Sequence, residues 1–391
     1  MVRILVLIDS SAEFSRRFLM GLIRYSFEQG PWTFYRLPVY YKNLYGETGI
    51  LERIEEWKID AVIAQWEDEE IGFLEKLKIP VFLQSYKDKN ILCSKISGNY
   101  KETGTMAANF FAKKRFQNFA FYGHKNFYWS KGKAEGFRQA VEKIGGNYYY
   151  FESEVLNGTE WSPCHIELNN WLTSLPKPVA IFACDDSFAL QVSEMCKINN
   201  INIPNEISLL GADNDELICN LSYPSISSIV TDDENAGYNM GKMLHRLIST
   251  KKNTLFDIEV KPIRIALRQS TEKYNISDKY ILKIVNYIVE NTTSQLFIDE
   301  LTKIVPLSRR NLEIKFKNAM GKSIYQFILD NKIECLSNIL LTTDKNLLDI
   351  SEELGFNDVR NLYRTFKKQT GYTPIDFRKK HSALPHVTMI N

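Results

Sequence analysis

The chain has 391 residues, 44% hydrophobic and 25% charged, the make-up of an ordinary folded protein long enough for two or three domains. Its six cysteines are scattered without zinc or redox spacing, no apolar run approaches the ~18 residues of a membrane span, and "MVRILVLIDSS" turns polar too early for a signal peptide, so reduced thiols, a cytoplasmic location and no membrane are expected. The net charge of +2 hides a change of sign: residues 276–391 hold 17 Lys and Arg against 13 Asp and Glu, and the first 275 hold 32 against 34.

From residue 1 to 270, apolar runs ("RILVLI", "DAVIAQW", "PVFLQS", "NFAFYG", "VAIFAC", "ISLLGA") alternate with amphipathic stretches such as "FSRRFLMGLIRYSFEQG" and "ENAGYNMGKMLHRLIST". Strand and helix in that rhythm predict parallel sheets covered on both faces. The length suits two lobes, 1–115 and 116–270, with the break where "KKRFQN" ends a helix.

Ligands of open parallel sheets sit beyond the carboxyl ends of the strands. The segments expected there are "DSSAEFSRR", "QWEDEE", "GHKNFYWSKGKAEGF", "CDDSFAL" and "GADNDEL". They gather two carboxylates (Asp185, Asp213), a cation (Lys133) and broad aromatics (Phe14, Trp66, Trp129). Carboxylates accept hydroxyl hydrogens and aromatic faces cover the C–H face of a pyranose, so the set suits a sugar. Trp66 and Trp129 serve equally well as lobe packing. Asp185 and Asp186 do not form a glycosidase pair, because neighbours at a strand end point apart. The histidines have no metal spacing and no Gly-rich phosphate loop is present. No catalytic residue, metal or cofactor is assigned.

"IFACDDSFALQV", "ISLLGADNDEL" and "KPIRIALRQST" resemble segments of the periplasmic-binding-protein-like core of the LacI/GalR repressors. That likeness implies three crossovers between the lobes, near 225–255, and makes Asp185 and Asp213 ligand positions. Lys133 stands where that family has a sugar-binding Arg; it keeps the charge and loses the planar fork. Gly98 replaces an Asp common at that family's helix start. The first strand begins at residue 2, without the DNA-binding helices that usually precede such a core.

The polar stretch through 271–279 reads as a linker, and beyond it every pattern is helical. "RRNLEIKFKNAMGKS" and "RNLYRTFKKQTGYTP" repeat one design fifty residues apart, each after a short amphipathic helix and a turn. Helix, turn and basic helix is the arrangement that lays its second helix in the major groove. Leu312, Phe316, Leu362 and Phe366 are the inner face. Arg309, Arg310, Glu313 and Lys317, with Arg360, Asn361, Arg364 and Lys367, are the outer face, suited to base edges and phosphates. Glu313 fits a cytosine amino group and plain helix solvation equally well.

Residues 280–391 resemble the DNA-binding domain of the AraC family, through "DISEELGFNDVRNLYRTFKKQTGYTPIDFRK", with Ser351 where that family has Ala. The chain is thus expected to be an α/β two-lobed sensor followed by an all-α double helix-turn-helix domain. That order is similar to the regulators of xylose operons, which implies a double-stranded DNA operator, xylose or another aldose as effector, a homodimer, activation and contact with RNA polymerase. The alternative is a regulator whose first 270 residues only dimerise or bind a protein partner.

Overall fold

Alternate residues of a strand face opposite sides of its sheet. In β1 (Val2–Leu7), Leu5 and Leu7 bury with Ile50, Ile54, Phe73 and Leu74, while Ile4 and Val6 bury with Phe18, Leu22, Met240 and Leu244. Burial on both faces requires helices on both sides, the condition of a parallel sheet. The computed structural model describes residues 1–37, 40–65, 72–84, 93–153, 161–250, 254–356 and 358–381.

The first strands are β1, β2 (Trp32–Arg36), β3 (Ala61–Gln65), β4 (Val81–Gln84) and β5 (Ser94–Gly98), with α1 (Glu13–Gln29), α2 (Tyr40–Glu56) and α3 (Gly72–Glu75) between them. After α4 (Tyr100–Lys113) come β6 (Asn118–His124), α5 (Tyr128–Ile144), β7 (Asn147–Ser153), α6 (Trp161–Ser174) and β8 (Val179–Ala183). Then follow α7 (Asp186–Ile198), β9 (Ile207–Ala212), α8 (Glu216–Leu221), β10 (Ser227–Thr231), α9 (Asp233–Thr250), β11 (Asp257–Val260) and β12 (Pro262–Ala266). They make two six-stranded sheets, ordered β11-β5-β4-β3-β1-β2 and β12-β10-β9-β8-β6-β7. Every pair is parallel except β10 with β12.

The lobes differ from the expected 1–115 and 116–270. Ala107, Ala108, Phe110 and Phe111 bury in the core of the second sheet, so α4 already belongs to the second lobe. Conversely α9 and β11 join the first lobe, and the last crossing falls between Val260 and Pro262 rather than by residue 255. Helical periodicity gives the apolar face of a crossover helix but not the sheet it covers. The α1–α9 packing is backbone-close: a Cβ on Gly21 would stand 1.8 Å from the Glu234 carbonyl oxygen, and one on Gly237 1.8 Å from that of Phe18.

The chain divides into two compact units, Met1–Ala112 with Phe116–Lys273, and Lys113–Arg115 with Tyr274–Asn391. The expected linker 271–279 is therefore anchored rather than free. Ser270 and Thr271 are buried, and Ser270 Oγ donates to the Leu209 carbonyl at 2.6 Å. Tyr274 already buries in the helical unit.

That second unit runs α10 (Lys279–Glu290), α11 (Ile298–Ile304), α12 (Arg309–Met320), α13 (Ile324–Thr342), α14 (Leu347–Glu353), α15 (Val359–Thr370) and α16 (Pro374–His381). It has two cores. Leu312 and Phe316 bury with α10, α11 and the first half of α13; Leu362 and Phe366 bury with α14 and its second half. No described helix is long and apolar enough to cross a membrane.

Candidate functional site

The carboxyl ends of β6, β8 and β9 bring Lys133, Asp185 and Asp213 together, as expected from the sequence. Lys133, on α5, is buried; its ammonium donates to the Cys184 carbonyl at 2.7 Å and lies 3.4 Å from Asp213 Oδ1. Burial lowers its pKa, but Asp213, Cys184 and Asp185 outweigh that and hold it above the ordinary lysine value. The Trp129 ring lies 5.2 Å from the ammonium and stacks on Phe127. Gly98 has a local reason: a Cβ there would meet the Tyr100 ring at 2.4 Å. That ring is among the groups acting on Lys133.

Asp185 caps α7, accepting the Phe188 N–H at 2.8 Å. Desolvation raises its carboxyl to about 6, Asp213 adding to the rise while the Phe188 N–H and Lys133 oppose it. Asp186 turns away under Gly211, fully desolvated and raised well above the ordinary range. It accepts the Asp215 N–H at 2.7 Å, so the two adjacent acids do point apart. Asp213 and Asn214 both have positive φ, 89° and 50°. Ser228 Oγ accepts the Asn214 N–H and Arg268 donates to its side chain, both at 2.9 Å. Non-glycine residues held this way concentrate at functional sites.

The first lobe contributes α1. Phe14 is half-buried and stacked on Phe18 with ring centroids 6.3 Å apart. Arg16, not singled out in the sequence, pairs with Glu13 at 2.7 Å and, across the lobes, with Asp215 at 3.0 Å. The two partners are 199 residues apart in sequence, and no local pattern announces them. Trp66 lies outside the described residues.

In the second unit, Ser308 caps α12 and Asp358 caps α15, and Gly321 and Gly371 end them in the left-handed region at φ 70° and 79°. The side chains of Arg310, Lys317, Arg360, Asn361, Arg364 and Lys367 are exposed beside buried Leu312, Phe316, Leu362 and Phe366. Arg309 and Glu313 are exposed too, but they pair with each other at 3.2 Å, and Arg309 also reaches Asp299 at 3.0 Å. Lys332 is a residue that the sequence reading passed over. Buried on α13, it donates to the Leu354 carbonyl at 2.6 Å and so holds the turn before α15. Among the described residues no metal-ligating cluster occurs.

Comparison with known proteins agrees with this division. A periplasmic binding protein-like domain matches residues 108–271, and a helix-turn-helix domain matches 301–380. The xylose operon regulatory protein of Haemophilus influenzae is 30% identical over 337 residues, 84% of this chain and 87% of that one. Its counterpart from Escherichia coli K12 is 28% identical over 347 residues, 85% and 87% of the two chains. A solved structure described as a xylose-binding transcription activator matches 97% of this chain and 98% of its own at 25% identity, with a TM-score of 0.60.

Proposed function

The chain belongs to the family of xylose operon regulatory proteins, and from that premise we propose that D-xylose or a closely related aldose, bound between the lobes of its sensor, controls how its helix-turn-helix pair reads an operator. The observation that carries the reading is the meeting of Lys133, Asp185 and Asp213 beside the Trp129 face. Two carboxylates just past strand ends, able to accept hydroxyl hydrogens, and the ammonium of a lysine on the helix after β6 suit a polyol. Phe14 belongs to the proposed site as a first-lobe aromatic. Arg310 and Glu313 in α12, and Arg360, Asn361 and Arg364 in α15, are assigned to base reading. Arg309, Lys317 and Lys367 are assigned to phosphate and to orienting the helices. Family likeness also supports activation, contact with RNA polymerase, a homodimer and a cytoplasmic location.

Calorimetric titration of the full chain with a panel of pentoses and hexoses tests the ligand. D-xylose or a near relative should bind, and Asp213→Ala and Asp185→Ala should each weaken it ~10- to 100-fold, the cost of a lost charged hydrogen bond. DNA binding without sugar should persist in both. Failure of every sugar to bind, or unchanged titrations in both variants, would remove the proposed ligand or its site.

A further inference from the structure

Buried carboxyl groups are ordinarily paired or hydrogen-bonded, because an unsatisfied one carries its full desolvation cost. Asp233 breaks that rule. It is the first residue of α9, 0% exposed, and neither of its oxygens has a hydrogen-bond partner among the described residues. Thr231 Oγ1, two residues earlier at the end of β10, is buried and unpartnered too; it favours the ionised carboxylate without making a hydrogen bond of ordinary geometry. The close packing of α1 on α9 puts Phe18 against Gly237. One turn earlier, Asp233 feels the charge of Arg17 from α1. From the second lobe it feels Asp213. Asp233 follows the carboxyl end of β10, which pairs in parallel with β9, so it lies at the same end of the second sheet as Asp213, whose N–H bonds to the Ile229 carbonyl of β10. Burial raises its carboxyl to about 7; Arg17 opposes the rise, and Asp213 and Asp232 add to it.

We propose that Asp233 is a specificity-determining residue of the sugar site: its carboxylate accepts a hydroxyl hydrogen of the bound sugar, and the proton it carries in the empty site passes to solvent on binding. The inference rests on the reading that a polyol binds between the lobes. It explains why a buried acid has no well-formed hydrogen bond among the described residues beyond the poorly placed Thr231 hydroxyl: the missing donor is the ligand.

The test is calorimetry of the full chain with D-xylose at pH 7 in two buffers of different ionisation enthalpy. The wild-type chain should release about half a proton, since the group titrates near that pH. Binding should tighten from pH 6 to pH 8. Asp233→Asn should lose that proton, bind ~10- to 100-fold more weakly at pH 8, and keep only the lower step belonging to Asp185, which titrates at about 6. Buffer-independent heats in the wild type, or an Asp233→Asn titration identical in affinity and proton count, would overturn the assignment. Should the wild-type chain bind no sugar of the panel, the reading beneath this inference falls and takes it along.

Discussion

Above neutral pH the Asp233 carboxylate is ionised with the Thr231 hydroxyl near it but no well-formed hydrogen bond among the described residues, and the fold bears that cost. Its folded value of about 7 lies above the unfolded 3.8. An acid shifted upward is compatible with the fold below its unfolded value, and stability is lost as pH rises through the folded one. Asp233→Asn should therefore raise the sugar-free melting temperature at pH 8, by a free energy on the order of 4 kcal/mol. The gain should shrink between pH 7 and pH 4 and vanish below. A variant equally unstable at pH 8 would mean that the carboxylate has a partner in solution. On the reader, Arg360→Ala or Arg364→Ala should cost ~1 to 3 kcal/mol on the true site and relax the preference at one base, whereas Lys367→Ala should weaken all sequences alike. Equal losses for Arg360→Ala on specific and random DNA would reassign it to phosphate. The meeting of Lys133, Asp185 and Asp213 was legible because all three lie in segments that follow strands, and a family likeness points to the same positions. Asp233 and Arg16 were not. An acid at a helix start looks like an ordinary cap, and a pair spanning 199 residues leaves no local trace.

Among the elements, α13 decides the shape of the DNA site. Its first half completes the core around Phe316 and its second half the core around Phe366. Burial on two successive sides explains why it is one helix of 19 residues without Gly or Pro. Nineteen residues rise about 28 Å, close to the ~34 Å between successive major grooves on one face of a duplex. Two adjacent grooves should thus be read from the same side. Inserting ~5 base pairs between the sub-sites should reduce affinity to the non-specific level, and ~10 should not rescue it, because a helix cannot lengthen by a turn. Equal binding at all three spacings would mean a flexible joint. This repeat was the most legible part of the sequence, since Phe316 and Phe366 hold matching places and both bury completely. The crossovers were the least legible. The apolar faces of α4 and α9 could be seen, but the exchange of each to the other lobe depends on contacts such as Gly21 with Glu234 that no periodicity encodes.

For the molecule as a whole, family membership and the two matched domains make it a DNA-binding transcription regulator with a periplasmic-binding-protein-like sensor. The central claim is that the sensor and the reader are energetically linked, so that sugar in one changes DNA affinity in the other. Linkage of this kind is worth ~5- to 150-fold in affinity and is reciprocal. The most direct measurement is the affinity of the full chain for a site selected from random duplex DNA, with and without saturating D-xylose. The account predicts a change of at least ~5-fold in the wild type, reached in Asp213→Ala only at a ~10- to 100-fold higher D-xylose concentration. An affinity that stays the same while D-xylose demonstrably occupies the wild-type chain would contradict it.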